Sequence, residues 1–133
     1  MSARTIFLSR LIGLYSLVTS VSMLMHKGAM VETVAALANA PPLLLIGGMF
    51  TLLAGLALVL SHNLWSGGAL PLVNTLLGWV LLFRGIVLVF ISPGGAAALY
   101  EALHFEQLYY LYVAIPLALG LYLTGAGFKA QPA

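Results

Sequence analysis

Arg84 stands inside an otherwise apolar run from Leu72 to Ile91. An arginine within a membrane span costs at least about 3 kcal/mol on insertion scales unless it finds a partner, so this residue demands an explanation more than any other in the chain. It lies seven residues before the end of the run, roughly 10 Å along a helix. Its long side chain can snorkel most of that distance towards Glu32, Glu101 or Glu106. Three chemistries follow: an ion pair tying the helix to an acidic neighbour, capture of an anion, lipid headgroup or substrate carboxylate, or simple snorkelling among lipids.

The same side of the sequence gathers His26, Glu32, Glu101, His104 and Glu106. Glu101-Ala102-Leu103-His104 sets a carboxylate and an imidazole one helical turn apart, the spacing that carboxylate-bridged metal bundles use. Such sites need the motif twice, with further glutamates, inside a core. Here it occurs once, so His26, Glu101 and His104 are metal candidates by residue type alone, and polar residues facing the headgroups are the expectation. No cofactor is implied. The absence of cysteine excludes thiolate metal sites, disulfide exchange and thiol catalysis. No histidine lies mid-span to ligate haem, and no nucleophile elbow, phosphate loop or metalloprotease motif is present. His62 and Asn63 fall where a histidine at a helix C-terminus meets the last carbonyls favourably, so capping is their expected role.

The elements that position these residues follow from length and polarity. Of 133 residues, 62% are hydrophobic and 6% charged, too few charges to clothe a water-soluble surface. About 20 apolar residues cross a hydrocarbon core, and four stretches qualify: 6–25, 43–61, 72–91 and 108–127. The expected fold is all-α, an integral membrane four-helix bundle forming a single domain over 1–133. The first stretch is longer than a signal-peptide core, which implies an uncleaved anchor. Short, weakly amphipathic segments at 28–39 and 95–107 are expected to lie along the interface. Pro41-Pro42 starts the second span, and the Ser61 to Gly68 connection reads as a tight turn.

Sliding the sequence on itself by 65 residues aligns Leu11-Ile12-Gly13 with Leu76-Leu77-Gly78, and Gly55-Leu56 with Gly120-Leu121. This suggests two tandem repeats of span, interfacial helix, span, related by an axis near the membrane normal. Small residues four apart mark faces where helices approach closely in lipid. Gly47, Thr51 and Gly55 form such a face on the second span, and Pro116, Gly120 and Thr124 on the fourth. Gly13 with Ser9, Ser16 with Ser20, and Gly78 with Asn74 supply the first and third. Pro116 also breaks a backbone hydrogen bond, which makes it a candidate hinge or pocket.

Arg4, Arg10 and Lys129 fall on one side of the predicted spans, while Lys27 and all three glutamates fall on the other. The positive-inside rule then places both termini in the cytoplasm. A net charge of +2 with no basic stripe excludes a nucleic-acid partner. The expected partners are membrane lipids and a second copy or a larger membrane complex.

His62-Asn63-Leu64-Trp65 followed by Leu77-Gly78-Trp79-Val80-Leu81-Leu82 resembles small bacterial inner-membrane proteins with four predicted helices, which implies the bacterial inner membrane. Arg10-Leu11-Ile12-Gly13, His26-Lys27-Gly28 and Pro41-Pro42 leading to Ala54-Gly55-Leu56-Ala57-Leu58 resemble, more distantly, the DoxX-like family of four-helix membrane proteins. That family often carries a glutamate within the second span, where this chain has Gly47, Gly48 and Thr51. Neither resemblance supplies a catalytic residue. The expected function is non-catalytic: binding, self-association or service as an accessory subunit. The alternatives are a transporter or channel for a small anion or amphiphile, and a membrane enzyme using the outer His and Glu residues.

Overall fold

A computed structural model describes Ser2 to Gln131, apart from the side chain of Pro93. The described residues form six helices and no strand: α1 Ala3–Met25, α2 Lys27–Ala38, α3 Pro41–Ser61, α4 Ala69–Phe90, α5 Pro93–Ala102 and α6 Tyr109–Lys129. Helices α1, α3, α4 and α6 are long and apolar enough to cross a membrane, making the chain an all-α multi-pass membrane bundle.

The helix ends explain themselves locally. Ser2 caps α1 by accepting from the Thr5 amide at 3.2 Å, and Ser92 caps α5 by accepting from Gly95 at 3.1 Å. Pro41 and Pro42 occupy the first turn of α3, where their missing N–H groups cost nothing. The entry to α4 runs through Gly67 and Gly68 at φ 97° and 115°, a backbone region that side chains disfavour. Helix α6 continues unbroken through Pro116.

The second interfacial helix ends sooner than expected, at Ala102 rather than residue 107. The Tyr112 hydroxyl donates to the Leu103 carbonyl at 2.7 Å, taking the acceptor a further helical turn would use. Phe105 packs among Tyr100, Tyr109 and Tyr112, with ring centroids 5.6 to 6.2 Å apart.

The four long helices associate as two tight antiparallel pairs, α3 with α4 and α1 with α6, whereas α1 and α4 touch far less. Glycine makes both pairings possible. A Cβ on Gly85 would stand 2.5 Å from the Leu52 Cα, and one on Gly55 would stand 2.6 Å from the Leu82 Cα. In the other pair, a Cβ on Gly120 would meet the Leu17 amide at 2.9 Å, and one on Gly13 would strike the Thr124 amide at 2.6 Å. Such backbone proximity maximises dispersion contact where lipid removes the hydrophobic driving force.

Gly47 departs from the expected packing face. A Cβ there would meet nothing within 4 Å, while one on its neighbour Gly48 would press on Leu88 at 2.9 Å. The α3 seam therefore follows Gly48 and Gly55, seven residues apart, and turns Gly47 outward. Thr51 donates to its own helix at the Gly47 carbonyl, 2.8 Å away.

The start of α1, the end of α3, the start of α4 and the end of α6 share one end of the bundle, here the terminal end. Helices α2 and α5 touch each other at the opposite, capped end. Burial follows the 65-residue offset closely: nine of the eleven buried residues before position 66 have a buried counterpart 65 residues later. Ser9 and Asn74, Gly55 and Gly120, and Leu58 and Leu123 are such pairs. The same offset exchanges the α1–α6 pair with the α4–α3 pair.

Candidate functional site

The densest polar chemistry among the described residues is a buried junction at the terminal end, where α1, α3 and α4 meet. Thr5, Ser9, Asn74 and Thr75 are fully buried and His62 is 3% exposed. His62 follows the last residue of α3 and caps that helix through its backbone N–H, which donates to Leu58. Its ring does not turn to the helix carbonyls as a simple cap would. It bridges the two helix pairs, with Nε2 2.9 Å from the Thr5 hydroxyl on α1 and Nδ1 3.3 Å from the Thr75 hydroxyl on α4.

Counting protons assigns the tautomer. The Thr75 hydroxyl accepts from the Leu64 amide at 2.9 Å and lies 2.8 and 2.9 Å from the Leu64 and Pro71 carbonyls. Its one hydrogen belongs to those carbonyls, so the hydrogen shared with His62 comes from Nδ1. Nε2 then accepts from Thr5, whose hydroxyl accepts in turn from Ser2 at 2.9 Å. Burial, reinforced by the charge of Arg4 and partly opposed by the His62 backbone hydrogen bond, lowers the imidazole pKa below 6.5 and favours this neutral ring.

Beside the imidazole, Asn74 Nδ2 donates to Ser9 Oγ at 2.7 Å, and Ser9 donates to the Thr5 carbonyl at 2.7 Å. Asn74 Oδ1, Ser20 Oγ and Thr124 Oγ1 are buried without a hydrogen-bond partner. Two arginines complete the terminal end. Arg4 donates to the Ser61 carbonyl at 2.7 Å, satisfying the end of α3. Arg10 donates through Nε to the Gly127 carbonyl at 2.9 Å and lies 4.7 Å over the Phe128 ring, joining α1 to the end of α6. Junction and clasp occupy equivalent places under the 65-residue offset, since Arg10 corresponds to Thr75 and Gly127 to His62.

The capped end holds the residues that the sequence singled out, without assembling them. Glu101, His104 and Glu106 line a shallow pocket with Tyr100, Phe105 and Gln107. The helix stops before His104, which adopts φ 49°, so Glu101 and His104 do not share one helical face as their spacing implied. Among the described residues no group of three His, Asp or Glu side chains is placed to hold a metal ion. Lys27 lies 4.9 Å over the Tyr110 ring and 5.7 Å over that of Tyr109. Arg84 is exposed, and among the described residues it makes no ion pair with Glu32, Glu101 or Glu106 within 4.0 Å. Pro116 sits half-buried in a continuous helix.

Sequence reasoning read Ser9 and Asn74 as packing residues and His62 as a cap, and so missed the junction. The available signal was the offset itself, which makes Ser9 and Asn74 equivalent positions that are both polar. Comparison of the chain with protein-family models, with curated proteins and with solved structures returned no match.

Proposed function

We propose that this chain is a non-catalytic membrane protein that works by association in the bilayer, as a self-associating protein or an accessory subunit. The observation that carries this reading is the use made of the buried polar side chains. Thr5, Ser9, His62, Asn74 and Thr75 bond to one another and to backbone carbonyls, an arrangement that joins helices and leaves only Asn74 Oδ1 among these five side chains without a partner, buried inside the bundle. The glycine seams work in the same direction: backbone lies against backbone along both helix pairs, which leaves no polar lining for conduction there.

Two further readings belong with this one. The matched burial at the 65-residue offset supports an origin by duplication of a span, interfacial helix, span unit. The grouping of Arg4, Arg10 and Lys129 at the terminal end, with all three glutamates at the other, supports a topology with both termini cytoplasmic, and the resemblance to small four-helix proteins of the bacterial inner membrane suggests that membrane.

Affinity purification from membranes in a gentle detergent tests the association. The expected result is a species larger than one chain, either a homo-oligomer or a complex with a second membrane protein. Recovery of this chain alone, running as a monomer in detergent and remaining uncross-linked in intact membranes, would defeat the proposal.

A further inference from the structure

Arg10 and Arg84 sit at similar depths along their helices and resolve their charge differently. Arg10 is seven residues from the start of α1 and is held by the Gly127 carbonyl and the Phe128 ring. Arg84 is six residues from the end of α4, about 9 Å along the axis. It is exposed and has no hydrogen-bond or ion-pair partner among the described residues. Beside it on α4, Val80 and Phe83 are 59% and 71% exposed, so the charge emerges from a surface suited to acyl chains.

We propose that Arg84 binds the phosphate of a phospholipid headgroup, drawn from the leaflet at the capped end, with the acyl chains running past Phe83 and Val80 towards the bilayer centre. The arginine stem covers most of the distance to the helix end, and a planar guanidinium matches phosphate oxygens two at a time. Helical Cα–Cβ bonds tilt towards the N-terminus, which for α4 means away from this leaflet. The phosphate therefore sits deeper than its neighbours, and the lipid is retained rather than exchanging as bulk. A second copy of the chain fits this position poorly. Its glutamates lie in the connections at the capped end, beyond the spans, and a twofold contact through this face would set one Arg84 against another.

The test uses the full-length protein, delipidated in neutral detergent and titrated with phosphatidylglycerol while native mass spectrometry counts bound lipids. One lipid should bind tightly to the wild type, Arg84→Gln should weaken that binding at least tenfold, and Arg84→Lys should fall between them. Diacylglycerol, which lacks the phosphate, should not be retained, and inorganic phosphate should not displace the lipid. Arg84→Gln binding phosphatidylglycerol within twofold of the wild type would overturn the proposal, as would equal retention of diacylglycerol or displacement by inorganic phosphate. Should Arg84→Gln fail to fold, Arg84→Lys binding identically to the wild type would overturn the requirement for a guanidinium. Size in detergent, measured on the same samples, reads self-association separately: loss of an oligomer in Arg84→Gln without loss of lipid would assign the arginine to a protein contact instead.

Discussion

Replacing Gly85 by alanine adds one methyl group to α4 and puts it 2.5 Å from both the amide nitrogen and Cα of Leu52 on α3. Carbon atoms in contact prefer about 3.5–4.0 Å, so α3 and α4 must move apart by roughly 1 Å along their closest seam. Overpacking of this kind costs about 1–3 kcal/mol. Alanine returns about 1 kcal/mol through its better helix propensity, which leaves a net loss of up to about 2 kcal/mol. Gly47→Ala is the matched control on α3, because its methyl group meets nothing within 4 Å and only the propensity gain applies. Folding can be followed by circular dichroism or by proximity labels while sodium dodecyl sulfate is titrated into mixed micelles. Gly85→Ala should unfold at a lower detergent fraction than wild type, and Gly47→Ala at the same fraction or higher. Equal midpoints for the two variants would refute the assignment of the α3–α4 seam to Gly85 and with it the two-pair architecture.

The junction makes further predictions. Asn74→Ala removes the donor to Ser9 and should destabilise the bundle by about 0.6–2 kcal/mol, the range for hydrogen bonds between membrane helices, as measured in the same titration. His62 is lowered from 6.5 by burial, so the unfolded chain takes up a proton at higher pH than the folded one. Its contribution is therefore complete above about pH 6.5 and is lost as pH falls through the folded value. His62→Gln should remove that part of the pH slope, read from unfolding midpoints measured across this pH range. Arg10→Ala should loosen the α1–α6 pair by about 1.5–3 kcal/mol, the worth of a hydrogen bond from a charged group, and cysteine pairs placed across that seam should cross-link more slowly. A cysteine-free chain also suits single-site labelling: an impermeant maleimide should modify Glu101→Cys in spheroplasts and Lys129→Cys only after permeabilisation.

Length and polarity were enough to read the four spans, because the need to satisfy backbone groups in hydrocarbon leaves helices as the economical solution. The pairing of those helices was less legible. Gly47 and Gly48 are adjacent in sequence yet about 100° apart around the helix, and a rule that looks for small residues at four-residue spacing selects Gly47, Thr51 and Gly55. The seam follows Gly48 and Gly55 instead, because Leu88 and Leu82 of α4 occupy the space beside them. Arg84 invited an ion pair because acids lay within a side chain's reach along the axis. Axial distance says nothing of azimuth, however, and the α4 surface carrying Arg84 turns outward. Glu101 and His104 shared a helical spacing, but Tyr112 and Phe105 end the helix between them. The polar junction left a trace only in the 65-residue offset, since isolated hydroxyls and amides in a span have the same appearance whether they serve packing or bonding.

The pairing of α1 with α6 has a consequence for biosynthesis. Helices α3 and α4 are neighbours in the chain and can close their seam as soon as both have entered the bilayer. At about 5–20 residues per second, translation leaves α1 waiting several seconds or longer for α6 to arrive. Through that interval Gly13 and Arg10 face lipid, a translocase or an insertion chaperone in place of their eventual neighbours. A nascent chain stalled before residue 109 would therefore display an orphaned first helix, the kind of species that membrane quality-control proteases remove.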